Sequence, residues 1–172
     1  MTLRARLLEA DTHYSRQLRY AEKPGPLRRL AIFLAHSGDS WFWGLGLLIV
    51  WALGTAATKQ LAIQLVAGIA VTAIIVLALK RLIRRARPEG DWGNLYRRTD
   101  PHSFPSGHAA RMTMLLVLGA ALGPAWLGWL LLLWAPLVAL ARVAMGVHYL
   151  SDVIGGGLLG IVIGVALVSV MR

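Results

Sequence analysis

Three groups of residues in this chain combine types and spacings that can do chemistry. Lys80 and Arg87 stand seven residues apart with Arg84 between them. On one continuous helix they would share a face, and Pro88 would stop that helix. Cations gathered on one face can neutralise a phosphoryl group on binding and in the transition state, although the same cluster also marks the cytoplasmic edge of a membrane protein. The second group is Pro105-Ser106-Gly107-His108, set directly before a long apolar run. A helix beginning there offers unpaired N–H groups and a positive dipole end to an anion, with a histidine in the first turn to donate or receive a proton. Taken alone, these four residues read more readily as a Ser/Gly helix start than as a site. In the third group, Arg142 is followed six residues later by His148, and Asp152 comes four residues after that. A carboxylate one turn from a histidine can fix its tautomer, leaving the other ring nitrogen as nucleophile or base, and it can equally be a helix-end hydrogen bond.

The elements that must position these groups are membrane helices. With 57% hydrophobic residues, 15% charged and a mean hydropathy of +0.61, the chain is too apolar for an ordinary soluble domain. Its 18 Lys and Arg against 8 Asp and Glu give a net charge of +10, which in a membrane protein points to anionic lipid or a substrate phosphate. No polar aromatic platform for bases is present, so nucleic acid is not expected as a partner. The absence of cysteine excludes disulfides, thiolate catalysis and zinc–thiolate sites.

Ser40 to Thr58 is uncharged and opens on Trp41, Phe42 and Trp43, as in an aromatic belt, which predicts a first span over 40–58 with a start as early as Leu30 also compatible. Leu61 to Leu79 predicts a second. Met112 to Ala141 is uncharged but too long for one span and too short for two of about 20 residues. A break at Gly123-Pro124 resolves this with spans over 104–122 and 126–146, and it draws His108, Arg111 and Arg142 to the membrane boundary. Ionisable residues at that depth point to function, with snorkelling as the other explanation. The fifth span covers 153–171, where Gly156, Gly160 and Gly164 make one smooth face for close packing. Before these, residues 1–30 carry Arg4, Arg6, Arg16, Arg19, Lys23, Arg28 and Arg29 with Leu3, Leu7, Leu8 and Tyr14 at loosely helical spacing. They read as an interfacial helix or a solvated basic tail, broken by Pro24-Gly25-Pro26. The expected fold is therefore all-α: one domain over 1–172, a polytopic transmembrane bundle of about five spans plus an N-terminal interfacial helix.

Five spans place the N-terminus, the loop from Lys80 to His102 and the turn at His148 on one side of the bilayer. The seven basic residues before Leu30 make that the inside, so the site is expected to face the cytoplasm from the cell membrane.

Together the three groups resemble the type 2 phosphatidic acid phosphatase superfamily. Its motifs are a lysine, six residues and Arg-Pro; Pro-Ser-Gly-His; and Ser-Arg, five residues, His, three residues and Asp. Here they read Lys80 to Arg87-Pro88; Pro105-Ser106-Gly107-His108; and Ala141-Arg142, His148 and Asp152, with Ala141 replacing the serine. The resemblance implies a phosphatase acting on a lipid phosphate such as phosphatidic acid, phosphatidylglycerol phosphate or a polyprenyl phosphate or diphosphate. It assigns His148 as the nucleophile that forms a phosphohistidine and Asp152 as the partner of its other nitrogen. His108 becomes the acid for the leaving oxygen and then the base for water. Lys80, Arg87, Ser106, Gly107 and Arg142 become the phosphate-binding residues. No metal or other cofactor is implied, and Glu89, Asp91 and Asp100 are too dispersed among cations to read as a two-metal site. A phospholipid-binding or transport protein that keeps the anion pocket without turnover is the rival reading.

Overall fold

The computed structural model describes residues 2–97 and 99–172; the side chains of Arg4 and Asp91 also lie outside the description. Eight helices are formed among these residues: α1 (Leu3–Gln17), α2 (Pro26–Ser37), α3 (Ser40–Leu53), α4 (Ala56–Ile83), α5 (Asp91–Arg97), α6 (Gly107–Leu122), α7 (Ala125–Ala144) and α8 (Leu150–Met171). The architecture is all-α. Three helices, α4, α7 and α8, are each long and apolar enough to cross a membrane, and α3 and α6 are shorter apolar helices.

The first span differs from the expectation of 40–58. Its last residues belong to the next helix, because Thr55 caps α4 by accepting from the Thr58 N–H at 3.4 Å, so α3 ends at Leu53. At about 1.5 Å per residue, 14 residues reach only ~21 Å, short of the ~30 Å of hydrocarbon. The missing length is supplied by α2. It begins beside the end of α7, where the Ala21 N–H donates to the Ala144 carbonyl, and descends until Ser37 Oγ accepts from Trp134 Nε1 at 2.8 Å. From there α3 continues toward the far end, where Phe42, Leu47 and Val50 share a cavity with Leu61, Leu65 and Leu127. α2 and α3 thus run in sequence from the site end toward the far end of the bundle, with a break at Gly38-Asp39.

α4 also ends earlier than the Lys80–Arg84–Arg87 face requires. Arg84 takes a left-handed conformation with φ 52°, which terminates the helix at Ile83. Arg84 is consequently exposed, and Arg87 is delivered by the following loop rather than by a helical face.

α6 is the central element, with Met112, Met114, Leu115 and Leu118 fully buried. It packs most closely on α8. A Cβ on Gly156 would come within 2.5 Å of the Ser106 carbonyl oxygen, and one on Gly164 within 2.7 Å of Val117 Cβ. Glycine at these positions, and at Gly160 between them, lets the two backbones approach as the four-residue spacing predicts. In a bilayer this dense packing holds helices together where lipid tails offer no hydrophobic contrast.

α1 is docked at the same end as the chemistry. Asp11 Oδ1 accepts from the Ser151 N–H at 3.0 Å, Ser15 Oγ accepts from the Leu150 N–H at 2.8 Å, and Leu3, Leu7, Leu8 and Tyr14 remain exposed.

Candidate active site

The loop after α4, the start of α6 and the turn between α7 and α8 meet around a cavity of about 370 Å³, lined by Lys80, Arg87, Gly107, His108, Arg142 and His148. Six of the eight residues nominated from the sequence therefore share one pocket. Its remaining wall is the apolar flank of α4, with Ala73, Val76 and Leu77, so a polar recess opens onto an aliphatic one. The other two nominated residues support it from behind. Ser106 is buried, and its hydroxyl oxygen caps α6 by accepting from the Ala109 N–H at 3.5 Å, which leaves its O–H free to donate.

Arg87, 2% exposed, organises the floor. Its Nε donates to the Asp100 carbonyl at 2.6 Å, one terminal nitrogen donates to Asp100 Oδ2 at 2.7 Å, and the other to the Val147 carbonyl at 3.0 Å. That last nitrogen also stands 3.2 Å from His148 Nε2. An arginine has no acceptor, so Nε2 must be the acceptor and the ring proton must sit on Nδ1. This is the tautomer a nucleophile at Nε2 requires. Burial first, then the charges of Arg87, Arg142 and Lys80, hold the His148 pKa well below the ordinary imidazole range, so the ring is neutral at pH 7.

Asp152 was expected to accept a hydrogen bond from the other ring nitrogen, and the geometry corrects this. Its Oδ2 is 3.5 Å from His148 Nδ1, beyond a direct hydrogen bond, and Nδ1 has no hydrogen-bond partner among the described residues. The carboxylate is engaged elsewhere: Oδ1 accepts from Arg85 at 2.8 Å and Oδ2 from the Tyr149 N–H at 2.8 Å at the start of α8. Arg85 is itself held by Asp11 of α1 at 2.6 Å. Asp152 thus faces His148 as part of a fixed helix cap.

Arg142, 1% exposed, donates to the Tyr96 hydroxyl at 3.2 Å and lies over its ring, 4.7 Å from the centroid, while its Nε is buried without a partner among the described residues. A buried arginine with an unspent donor in a cavity wall is prepared for an anion. Lys80 is paired with Asp100. Burial works to raise the Asp100 pKa, but the hydrogen bond and charge of Lys80 and the charge of Arg87 outweigh it and hold the carboxyl below its usual range. An aspartate therefore occupies the cations a phosphate would need. Among the described residues no three His, Asp or Glu side chains converge as a metal-binding group.

His108 lies in the first turn of α6, with Nε2 2.6 Å from Asp39 Oδ1. The partner carboxylate comes from the break between α2 and α3. Neither Asp39 nor Asp100, Arg85 or Tyr96 was nominated from the sequence. The available signal for Asp39 was a carboxylate at the border of an apolar run; the others sit in loop-like sequence with no such mark.

A helical membrane bundle with two histidines and four cations, Arg111 being the fourth, around one recess defines the class. The chain belongs to the PAP2 superfamily, whose family model matches residues 61–172. It is similar to decaprenylphosphoryl-5-phosphoribose phosphatase of Mycobacterium tuberculosis, 34% identical over 151 residues, covering 87% of this chain and 82% of that protein. Its fold is also that of a PAP2-type phosphatidylglycerolphosphate phosphatase from Bacillus subtilis, with a TM-score of 0.76 at 21% identity over 95% of this chain and 85% of the other. LpxE of Aquifex aeolicus aligns with a TM-score of 0.73 at 22% identity over 91% and 93% of the two chains. Asp39 lies outside the residues that the family model matches.

Proposed function

We propose that this integral membrane protein is a lipid phosphate phosphatase that works by covalent catalysis at His148. The observation that carries the reading is the placement of His148 Nε2, unprotonated and aimed by Arg87 at 3.2 Å, in a recess ringed by Lys80 and Arg142. When a phosphate enters, its oxygens take over the N–H groups of Arg87 and Lys80 from Asp100 and fill the free donor of Arg142, assisted by Ser106 and the Gly107 N–H. Nε2 then attacks phosphorus as the bond to the lipid oxygen breaks, and His108 supplies the proton to that oxygen. In the second step His108 accepts a proton from water, water oxygen bonds to phosphorus, and the N–P bond breaks to release phosphate and restore Nε2.

The apolar α4 wall would hold the lipid chain while the head group reaches the cations. A prenyl phosphosugar or a glycerolipid phosphomonoester fits this arrangement, the first being the substrate type in the name of the M. tuberculosis relative. The docking of α1 at the site end puts the basic N-terminal segment beside the pocket, which supports a cytoplasm-facing site in the cell membrane. Phosphate release from a panel of prenyl and glycerolipid phosphates, measured with chelator present, tests the activity. Wild type should turn over at least one class, and His148→Ala none; equal release by both would overturn the assignment. For sidedness, Asn94→Cys in this cysteine-free chain should resist a membrane-impermeant thiol reagent on intact cells, and rapid labelling would reverse the orientation.

A further inference from the structure

The break between α2 and α3 places a carboxylate among apolar helices, where an ionisable group is costly and irregular backbone persists only if it is buried in protein or lines a cavity. The turn at Gly38-Asp39 is held from three helices. Trp43 Nε1 donates to the Ser37 carbonyl at 3.0 Å, Trp134 Nε1 to Ser37 Oγ at 2.8 Å, and Arg111 to the Gly38 carbonyl. It approaches α7 and α6 so closely that a Cβ at Gly38 would meet Val138 Cγ1 at 2.7 Å and His108 Cδ2 at 3.1 Å. Asp39 is the N-cap residue of α3, yet its side chain makes no capping hydrogen bond. It is turned instead to His108, with Oδ1 2.6 Å from Nε2, while Trp41 Nε1 donates to Oδ2 at 3.1 Å and His36 Nδ1 lies 2.9 Å from the same oxygen. An aspartate that forgoes its cap to meet a ring nitrogen at this distance is a charge-assisted partner.

From this arrangement we infer that Asp39 is the positioning residue of His108, in the direct ring contact that Asp152 does not make with His148. The inference rests on the reading of His108 as acid and base. Asp39 keeps the ring proton on Nε2, so Nδ1 is the atom that exchanges protons with the substrate. In the first step the proton on Nδ1 passes to the lipid oxygen as the P–O bond breaks; in the second Nδ1 takes one from water. Throughout, the carboxylate stabilises the ring while it is cationic.

A group that acts through proton donation matters in proportion to how poor the leaving group is. Asp39→Asn is isosteric and stays acceptable as an N-cap residue. It should lower kcat for a short-chain alkyl phosphate, dihexanoyl phosphatidic acid, by about 100-fold with KM little changed. The single-turnover formation of phosphoenzyme from p-nitrophenyl phosphate, whose leaving group needs no proton, should stay within about 3-fold of wild type. Asp39→Glu, which keeps the charge, should recover most of the alkyl activity. Binding of orthovanadate to each variant reports an intact pocket, since Asp39 does not line the cavity. Equal loss on both leaving groups, or no recovery in Asp39→Glu, would reduce Asp39 to a structural residue, and full activity of Asp39→Asn would remove it altogether. If His108→Ala itself keeps alkyl phosphatase activity, the reading of His108 fails rather than the Asp39 pairing.

Discussion

The molecule holds two histidine–aspartate pairs, and they are built oppositely. His148 and Asp152 are four residues apart, and their closest ring-to-carboxylate distance is 3.5 Å. His108 and Asp39 are 69 residues apart and meet at 2.6 Å. In the first pair the charge of Asp152 is shared with Arg85, and the ring is pressed by Arg87 and Arg142, so His148 stays neutral. In the second, the ion-pair partners of Asp39 are His36 and His108 themselves, so its charge remains available to the ring. A nucleophile must be unprotonated, whereas a proton donor must be able to bear positive charge. Asp39 is the group at the His108 ring that favours such a charge, whereas the cations around His148 oppose one.

The comparison can be broken at each partner. The largest effect is expected from His148→Ala, with loss of phosphate release by at least about 10⁴-fold, since a nucleophile has no substitute in this pocket. Detectable steady-state turnover near wild-type rates would disprove the division of roles. Asp39→Asn comes next, at about 100-fold in kcat on an alkyl phosphate.

Arg85→Gln should cost about 10-fold in kcat by releasing the Asp152 charge toward His148. Wild-type His148 has a depressed pKa, so its loss to protonation falls below pH 6.5. Removing Arg85 raises that pKa, and the acid limb of kcat/KM should move to higher pH. A limb that stays in place would mean Arg85 serves only to hold α1. The same depressed pKa carries a stability consequence. Below pH 6.5 the unfolded chain binds a proton on His148 that the folded one resists, so stability falls with pH there, a trend His148→Asn should weaken in thermal unfolding.

The smallest effect belongs to Asp100→Asn. With the resident carboxylate gone, Lys80 and Arg87 should bind inorganic phosphate about 3-fold more tightly, read as a lower inhibition constant. Weaker phosphate inhibition would show that Asp100 organises the cations rather than competing for them.

Most of the pocket was legible before any coordinates. Lys80, Arg87, Gly107, His108, Arg142 and His148 carry their chemistry in short motifs next to helix ends, and apolar run lengths place those ends on one side of a bilayer. The close approach of α6 and α8 was likewise written in Gly156, Gly160 and Gly164. What the pattern misjudged was continuity. Periodicity placed Lys80, Arg84 and Arg87 on one face, but a left-handed Arg84 ended the helix and sent Arg85 to Asp152 instead. Hydropathy joined 40–58 into one span, but the end of α3 at Leu53 and the Thr55 cap of α4 divided that stretch.

By itself the sequence determined that this is a helical membrane protein and singled out two histidines and three cations as candidates for a phosphate site, because hydrophobic length and local motif spacing are properties of consecutive residues. Only the tertiary structure decided which carboxylate serves which histidine. Asp152 lies one turn from His148 in the chain, yet its oxygens are committed to Arg85 and a helix cap. Asp39 lies far from His108 in the chain, yet the packing of α2 and α3 against α6 and α7 brings it into direct contact. That choice depends on where the break between α2 and α3 is pinned between other helices, and no local pattern encodes it.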